Sequence, residues 1–289
     1  MDIVYINGLF TPLCNAQISI QDRGFCYGDG LFETMRASKG KIFRLEQHIN
    51  RLLRSLPQIF IDLPMTRFEL MTVIQDTLAR NSHKEAFIRL TVTRGDTQSN
   101  IQIDTDISPT LVINIRPFKP LSKVAYKKGI KIMLFKERAC SISVLKRRLK
   151  SCNYLSNTLI KKLSDEKGFM EGVVVDPDFG VTEGTTSNVF IVTQGVLKTP
   201  PLSPFVLEGI TREVVIEIAK EHKIPILEEL ITLEDLLNAD EVFITNTGIE
   251  IVPVTQIDSQ AIGNKKPGIL TGFFHDEFLK CVEAEKNPC

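Results

Sequence analysis

Charge of one sign is missing from this chain. Lys plus Arg and Asp plus Glu number 35 each in 289 residues, so the formal net charge is zero. No overall basic field attracts phosphates, which argues against nucleic acid as the main partner and leaves room for local anion pockets. The six cysteines (Cys14, Cys26, Cys140, Cys152, Cys281, Cys289) form no Cys-x-x-Cys pair and no regular spacing. Neither a disulfide framework nor a zinc site is expected, and free thiols in a reducing cytosol fit. His48, His83, His222 and His275 lie far apart without ligand spacing, so no metal is expected. No apolar run approaches membrane-spanning length, and Met1-Asp2-Ile3-Val4-Tyr5 carries no charged-then-apolar signal. A soluble, cytoplasmic protein with no membrane partner is expected. Gly-x-Ser-x-Gly, Walker A and His-Glu-x-x-His stretches are also missing.

What is present is an ordinary globular composition, 43% hydrophobic. A single core stops growing at about this length, so two domains are expected. A first hairpin runs through Ile3 to Ile6, turns at Asn7-Gly8 and returns through Thr11. A second spans 31–37 and returns after Ser38-Lys39-Gly40. A helix from Leu45 places Leu45, Ile49, Leu52, Leu53 and Leu56 on one face, with Glu46, His48, Arg51 and Arg54 off it. Another is predicted over 67–80 with Phe68, Met71, Ile74 and Leu78 inward. Strands at 87–93 and 111–115 flank a polar loop at 95–108. Two prolines in Pro117-Phe118-Lys119-Pro120 mark a linker. The second half gives strands at 130–135, 172–175, 189–192 and 241–245. Its helices are placed at 153–167, 211–222 and 269–284, with a short one through Leu237 capped by Thr232 and Asp235. The expected division is 1–118 as an N-terminal α/β domain, 119–129 as linker and 130–289 as a C-terminal domain. The fold class is α/β (α+β) and not doubly wound, because many strands neighbour strands in sequence.

Two groups point to chemistry. Lys150 stands in Leu149-Lys150-Ser151-Cys152-Asn153-Tyr154-Leu155, and Glu183 in Val181-Thr182-Glu183-Gly184-Thr185-Thr186-Ser187-Asn188. Pyridoxal 5′-phosphate (PLP) takes a lysine and a carboxylate from a protein. The amine holds its aldehyde, and the carboxylate keeps the ring nitrogen protonated so that the ring draws in electrons. On composition alone, Lys150 belongs to a solvated basic run with Lys146, Arg147 and Arg148, and Glu183 is an exposed turn carboxylate. The catalytic reading needs Lys150 partly neutral, through desolvation or the nearby charge of Arg147 and Arg148. Gly209-Ile210-Thr211-Arg212 enters a helix whose first N–H groups suit an anion, or form a plain N-cap. Thr245-Asn246-Thr247-Gly248 offers similar groups, and Arg51 offers a charge unless it is a surface helix arginine. The three glycines of Asp22-Arg23-Gly24-Phe25-Cys26-Tyr27-Gly28-Asp29-Gly30 lack Gly-x-Gly-x-x-Gly spacing and precede a strand. That excludes a dinucleotide loop and suggests close backbone packing around a pocket.

Taken together and in this order, these segments resemble the class IV aminotransferases, the fold-type IV PLP enzymes. The matching pieces are Asp22-Arg23-Gly24 with Gly28-Asp29-Gly30-Leu31-Phe32-Glu33-Thr34, His48-Ile49-Asn50-Arg51-Leu52, and Leu149-Lys150-Ser151 with Asn153-Tyr154-Leu155. Thr182-Glu183-Gly184 with Ser187-Asn188-Val189-Phe190, Gly209-Ile210-Thr211-Arg212 and Glu241-Val242-Phe243-Ile244-Thr245-Asn246 complete the set. The resemblance implies a two-domain homodimer with PLP in the interdomain cleft and residues 130–289 as the PLP-binding domain. It implies that Lys150 binds the cofactor as a Schiff base and serves as general base, and that Glu183 pairs with the ring nitrogen. Arg51, Ile210, Thr211, Asn246 and Thr247 are implied phosphate contacts, and Tyr154 lines the ring-hydroxyl side.

Within the family, Tyr154 four past Lys150 is unlike the branched-chain aminotransferases. After Val92-Thr93-Arg94-Gly95 no Arg-x-His carboxylate trap of the D-amino-acid enzymes follows, and Phe32 stands where they carry tyrosine. Phe32-Glu33-Thr34-Met35-Arg36 and Lys150-Ser151-Cys152-Asn153-Tyr154 are similar to aminodeoxychorismate lyases. The expected activity is therefore 4-amino-4-deoxychorismate lyase, releasing pyruvate and 4-aminobenzoate for folate biosynthesis. An amino-acid aminotransferase of D-amino-acid or branched-chain type is the alternative, and a non-catalytic PLP-binding relative the remote one. Phe32, Thr34, Arg36, Arg94 and Arg147 are the substrate-site candidates, the last three for substrate carboxylates.

Overall fold

The computed structural model describes residues 2–96, 102–103, 107–137 and 148–286. The chain divides into two compact units. One comprises Met1–Lys119, Leu149–Asn153 and Glu285–Cys289, the other Pro120–Arg148 and Tyr154–Ala284.

The first unit opens with strands β1 (Ile3–Ile6) and β2 (Leu9–Pro12), then a five-residue helix α1 (Arg23–Tyr27). Asn7 and Gly8 between the strands have φ of 45° and 96°, the left-handed pair that closes a tight hairpin. Strands β3 (Gly30–Ser38) and β4 (Lys41–Ile42), helices α2 (Leu45–Ser55) and α3 (Arg67–Ala79), and strands β5 (Glu85–Thr93) and β6 (Thr110–Pro117) follow. The sheet runs β2-β1-β6-β5-β3-β4, with β3 antiparallel to β5 from Gly30↔Thr93 to Ser38↔Glu85. Leu31, Met35 and Ala37 of β3 and Ile88 and Leu90 of β5 form one core with Ile49 and Leu52 of α2 and Ile74 and Leu78 of α3. Each leucine, isoleucine or methionine among them contributes about 1.5–3 kcal/mol by leaving water. A capping box between Thr66 and Glu69 starts α3. Two expectations are corrected here. Phe68 is 78% exposed on the outer side of α3, and His48 and Arg51 are buried although they lie off the apolar stripe of α2.

The segment 149–153 belongs to this unit because it pairs with the start of β3. Leu31 and Ser151 form an antiparallel bridge, Phe32 N donates to Lys150 O at 2.9 Å, and Cys152 N donates to Gly30 O at 2.9 Å. Gly30 is needed there, since a Cβ would sit 2.6 Å from Val92 O.

The second unit begins with α4 (Lys123–Lys128), inside the stretch read as linker, and β7 (Ile130–Lys136). Then come α5 (Leu155–Glu166), β8 (Glu171–Asp176), β9 (Gly180–Gly184), β10 (Asn188–Thr193), β11 (Val196–Thr199), α6 (Ile210–Glu221) and β12 (Ile226–Glu228). The unit closes with α7 (Leu233–Leu237), β13 (Glu241–Asn246), β14 (Glu250–Ile257), β15 (Gln260–Ala261) and α8 (Ile269–Lys286). The sheet order is β12-β11-β10-β13-β14-β7-β8-β9, with β15 beside β14. β14, β7 and β8 run parallel, while β8–β9 and β13–β14 are antiparallel neighbours. This mixed pattern bears out the α/β (α+β) expectation and excludes a doubly wound sheet. Among the described residues no helix is long and apolar enough to cross a membrane.

Candidate active site

In the first unit the pairing of 149–153 with β3 sets Lys150 beside Phe32. The Lys150 Nζ lies 4.5 Å from the centre of the Phe32 ring, and the Arg89 guanidinium carbon lies 3.2 Å from the same centre. Phe32 is buried, so a cationic amine, an aromatic wall and a guanidinium meet at one apolar surface. Arg89 was not expected from sequence. Its signal is positional, because the β3–β5 register sets it opposite Thr34, the next residue after Phe32 on the same face of β3.

Between them along β3, Glu33 turns the other way into a buried charged cluster. Arg51 donates from Nε to Oε1 at 2.7 Å and from Nη2 to Oε2 at 2.5 Å, and the His48 Nδ1 lies 2.8 Å from Oε2. Burial pushes the Glu33 carboxyl up, but the Arg51 charge and the His48 bond outweigh it and bring it to about 2. Burial holds His48 below its ordinary value, against the pull of Glu33 and with help from the charges of Arg51 and Lys150. A neutral His48 therefore donates to Glu33 through Nδ1. Arg51, expected as a phosphate ligand, is fixed in direction by this carboxylate.

The remaining arginines differ. Arg36 stacks over the Phe118 ring at 4.3 Å and pairs with Glu85 at 3.3 Å. Arg94 donates to both oxygens of Asp29, at 2.8 and 3.0 Å, and to the carbonyls of Phe60 and Ile59, at 2.9 and 2.7 Å. It is a buried clamp on the turn after α2 and leaves the substrate-carboxylate set. Arg147 lies outside the described residues.

In the second unit Glu183 is buried near the end of β9. Leu207 N donates to Oε2 at 2.7 Å, and Arg148 Nε lies 2.7 Å from Oε1. The turn between β9 and β10, after Glu183, is held by a second carboxylate that sequence reasoning missed. Glu171, 3% exposed, accepts at Oε1 from Gly172 N at 2.9 Å, from Thr185 N at 3.2 Å and from the Thr185 hydroxyl. Its Oε2 accepts from the hydroxyls of Thr186 at 3.2 Å and Ser187 at 3.0 Å. The run Thr185-Thr186-Ser187 was the available signal, since the hydroxyls of Thr185 and Ser187 are buried and buried hydroxyls require an acceptor. Asn246 donates to the Thr186 hydroxyl at 3.3 Å and accepts from Gly248 N and Ile249 N at 2.7 and 2.8 Å. Asn246 thus closes the β13–β14 turn, with Thr247 half-buried at its tip.

α6 begins at Ile210 and Thr211, both buried, and no side chain caps it at Gly209. Gly209 permits the close approach of Asn188, whose Oδ1 would lie 2.0 Å from a Cβ there. Arg212 faces elsewhere, donating to Pro200 O at 3.0 Å and to Glu228 at 2.7 Å. Tyr154 is the N-terminal boundary of α5, its carbonyl accepting from Thr158 N at 2.9 Å. These residues fit PLP. An uncapped helix start suits a phosphate, and the Thr245 hydroxyl next to Asn246 is buried without a partner among the described residues. Glu183 is a buried carboxylate already turned to a cationic nitrogen. Among the described residues no group of three or more His, Cys, Asp or Glu is placed to hold a metal.

Residues 30–257 match the model of the amino-transferase class IV family. A protein of Methanocaldococcus jannaschii, provisionally named a branched-chain-amino-acid aminotransferase, is 42% identical over 275 residues, covering 95% of this chain and 94% of its own. The D-alanine aminotransferase of Bacillus licheniformis is 35% identical over 268 residues, 93% of each chain. Among solved structures, a T.th. branched-chain amino acid aminotransferase with pyridoxamine 5′-phosphate superposes with a TM-score of 0.92 at 27% identity, over 99% of this chain and 95% of its own. These matches overturn the expected 4-amino-4-deoxychorismate lyase, and folate biosynthesis with it. Similarity along the whole chain points to amino transfer, whereas the lyase reading rested on two short motifs that serve both chemistries.

Proposed function

The chain belongs to the class IV aminotransferase family, and on that footing we propose that it is a PLP-dependent amino-acid aminotransferase that moves the amino group of a branched-chain amino acid to a 2-oxo acid. The observation that carries this reading is the near full-length similarity to the M. jannaschii relative. D-Alanine as donor is a second reading, supported by the B. licheniformis relative. Against it stand Phe32 and the lack of an Arg-x-His trap after Gly95 in the sequence.

PLP, when bound, supplies a protonated ring that accepts electron density from the amine-bearing carbon. Lys150 would hold the cofactor aldehyde through Nζ and would carry a proton at that nitrogen when unbound. Phe32 walls the amine with apolar surface that sheds water. Glu183 would keep the proton on the ring nitrogen. The first turn of α6 would bind the phosphate through the Ile210 and Thr211 N–H groups and the Thr211 hydroxyl, and Arg51, held by Glu33, remains the phosphate contact the family resemblance implies. Asn246 shapes the turn that presents Thr247, and Tyr154 lines the ring-hydroxyl side. Thr34, Arg36 and Arg89 are the groups assigned to the substrate.

The test is direct. Purified protein with L-leucine and 2-oxoglutarate should form glutamate at catalytic rates, and a Lys150→Ala protein should not. Glutamate from D-alanine alone would select the second reading. No glutamate from either donor would overturn amino transfer and restore the non-catalytic alternative.

We also propose a cytoplasmic homodimer. Leu155, Leu159 and Leu163 repeat every four residues along α5 and are 73%, 54% and 47% exposed, an apolar stripe that a second copy would cover. Cys14, Cys26 and Cys152 are free thiols, as a reducing compartment keeps them.

A further inference from the structure

Glu183 is held in a closed circuit of the second unit. Arg148 N donates to Ser203 O at 3.1 Å, the loop continues to Leu207, and Leu207 N donates to Glu183 Oε2 at 2.7 Å. Arg148 Nε closes the circuit on Oε1 at 2.7 Å. The side chains are 21% and 11% exposed, so the pair is shielded well enough for its charges to matter. A carboxylate facing a guanidinium is already neutralised, and any further cation brought to it gains less than it would from a bare carboxylate.

We propose that Arg148 is the resident counter-ion of Glu183 and competes with the cofactor ring nitrogen for that carboxylate, so that it sets how tightly PLP is held. This rests on the reading of Glu183 as the partner of the ring nitrogen. Arg148 is a positioning residue: it acts on the cofactor through Glu183. Its position two residues before Lys150 ties this tuning to the chain segment that carries the amine.

The sign of the effect separates this role from a scaffold role. Loss of a scaffold residue weakens cofactor binding, whereas loss of a competitor strengthens it. PLP is titrated into the stripped wild type, Arg148→Met and Arg148→Gln, following the visible absorbance and the melting temperature of stripped and loaded protein. Arg148→Gln keeps a donor toward Glu183 without the charge and covers the case in which Arg148→Met does not fold. The stripped variants should melt lower, because they leave a buried carboxylate without its cation. Their PLP dissociation constants should fall by about threefold to tenfold, and the loaded-minus-stripped melting gap should widen. Adding Glu183→Gln should abolish the tightening, since the competition has lost its object. Unchanged or weaker PLP binding in the Arg148 variants, with a normal wild-type response, overturns the proposal alone. A wild type with no PLP-dependent absorbance or melting shift overturns the cofactor reading beneath it.

Discussion

At Glu33 the contest between burial and charge is large enough to measure. Its carboxyl lies at about 2 in the folded chain against 4.5 when free. A group depressed on folding stabilises the fold above its unfolded value, and that contribution is lost as the pH falls from about 4.5 toward 2. The shift corresponds to roughly 3 kcal/mol. In urea unfolding at a series of pH values, wild type should exceed Glu33→Gln by a margin that is constant near neutrality and shrinks below about pH 4.5. A margin that stays flat down to pH 3 would deny the Glu33–Arg51 pair this role. The residues themselves were unevenly legible. Lys150 and Glu183 could be singled out because their local motifs are distinctive. The burial of Arg51 and His48 could not, because their partner lies on a strand and hydropathy counts a paired charge as a surface one. Arg94 misled for the same reason, since Asp29 and two carbonyls that absorb its donors leave no mark beside it in the sequence.

Among the elements, α6 and the turn after β9 carry the sharpest expectations. Gly209→Ala would force a Cβ to within 2.0 Å of Asn188 Oδ1. The start of α6 should shift at a cost of about 1–3 kcal/mol, read as a lower melting temperature and as weaker PLP retention on dialysis. Glu171→Ala would leave Gly172 N and the buried hydroxyls of Thr185 and Ser187 without their acceptor and should cost about 3–5 kcal/mol. Glu171→Gln should be much milder, because the hydroxyls of Thr186 and Ser187 can rotate to accept from an amide. Equal losses in the two variants would show that the carboxylate charge, and not its acceptor geometry, holds the turn. The long elements were readable from periodicity: α2, α3, β3 and β5 fall within a few residues of expectation. The five-residue α1, capped by Asp22 and ended by left-handed Gly28, was not, and neither was α4. A single turn has too few apolar positions to show a period.

For the whole molecule, Leu159→Glu should halve the mass measured by sedimentation if the α5 stripe joins two copies, while leaving the monomer folded; an unchanged mass would place the contact elsewhere. The reaction itself was the least legible property. Lysine, carboxylate and phosphate site are common to lyase and aminotransferase, so motifs built on them could name the family and not the chemistry. The spacing between Lys150 and Tyr154 is unlike the branched-chain type, yet relatives named for branched-chain and for D-alanine amino transfer both match along nearly the full chain. The strand partnership of Gly30–Phe32 with 150–152 has a bearing on how the protein is made. A ribosome delivers β3 long before it delivers the lysine segment, so the edge that receives Lys150 stays open through most of synthesis. The first unit cannot close its own sheet margin until the chain has left it, begun the second unit and come back. A nascent chain halted before residue 150 would carry bare backbone groups at Gly30 and Phe32, a natural landing place for a chaperone.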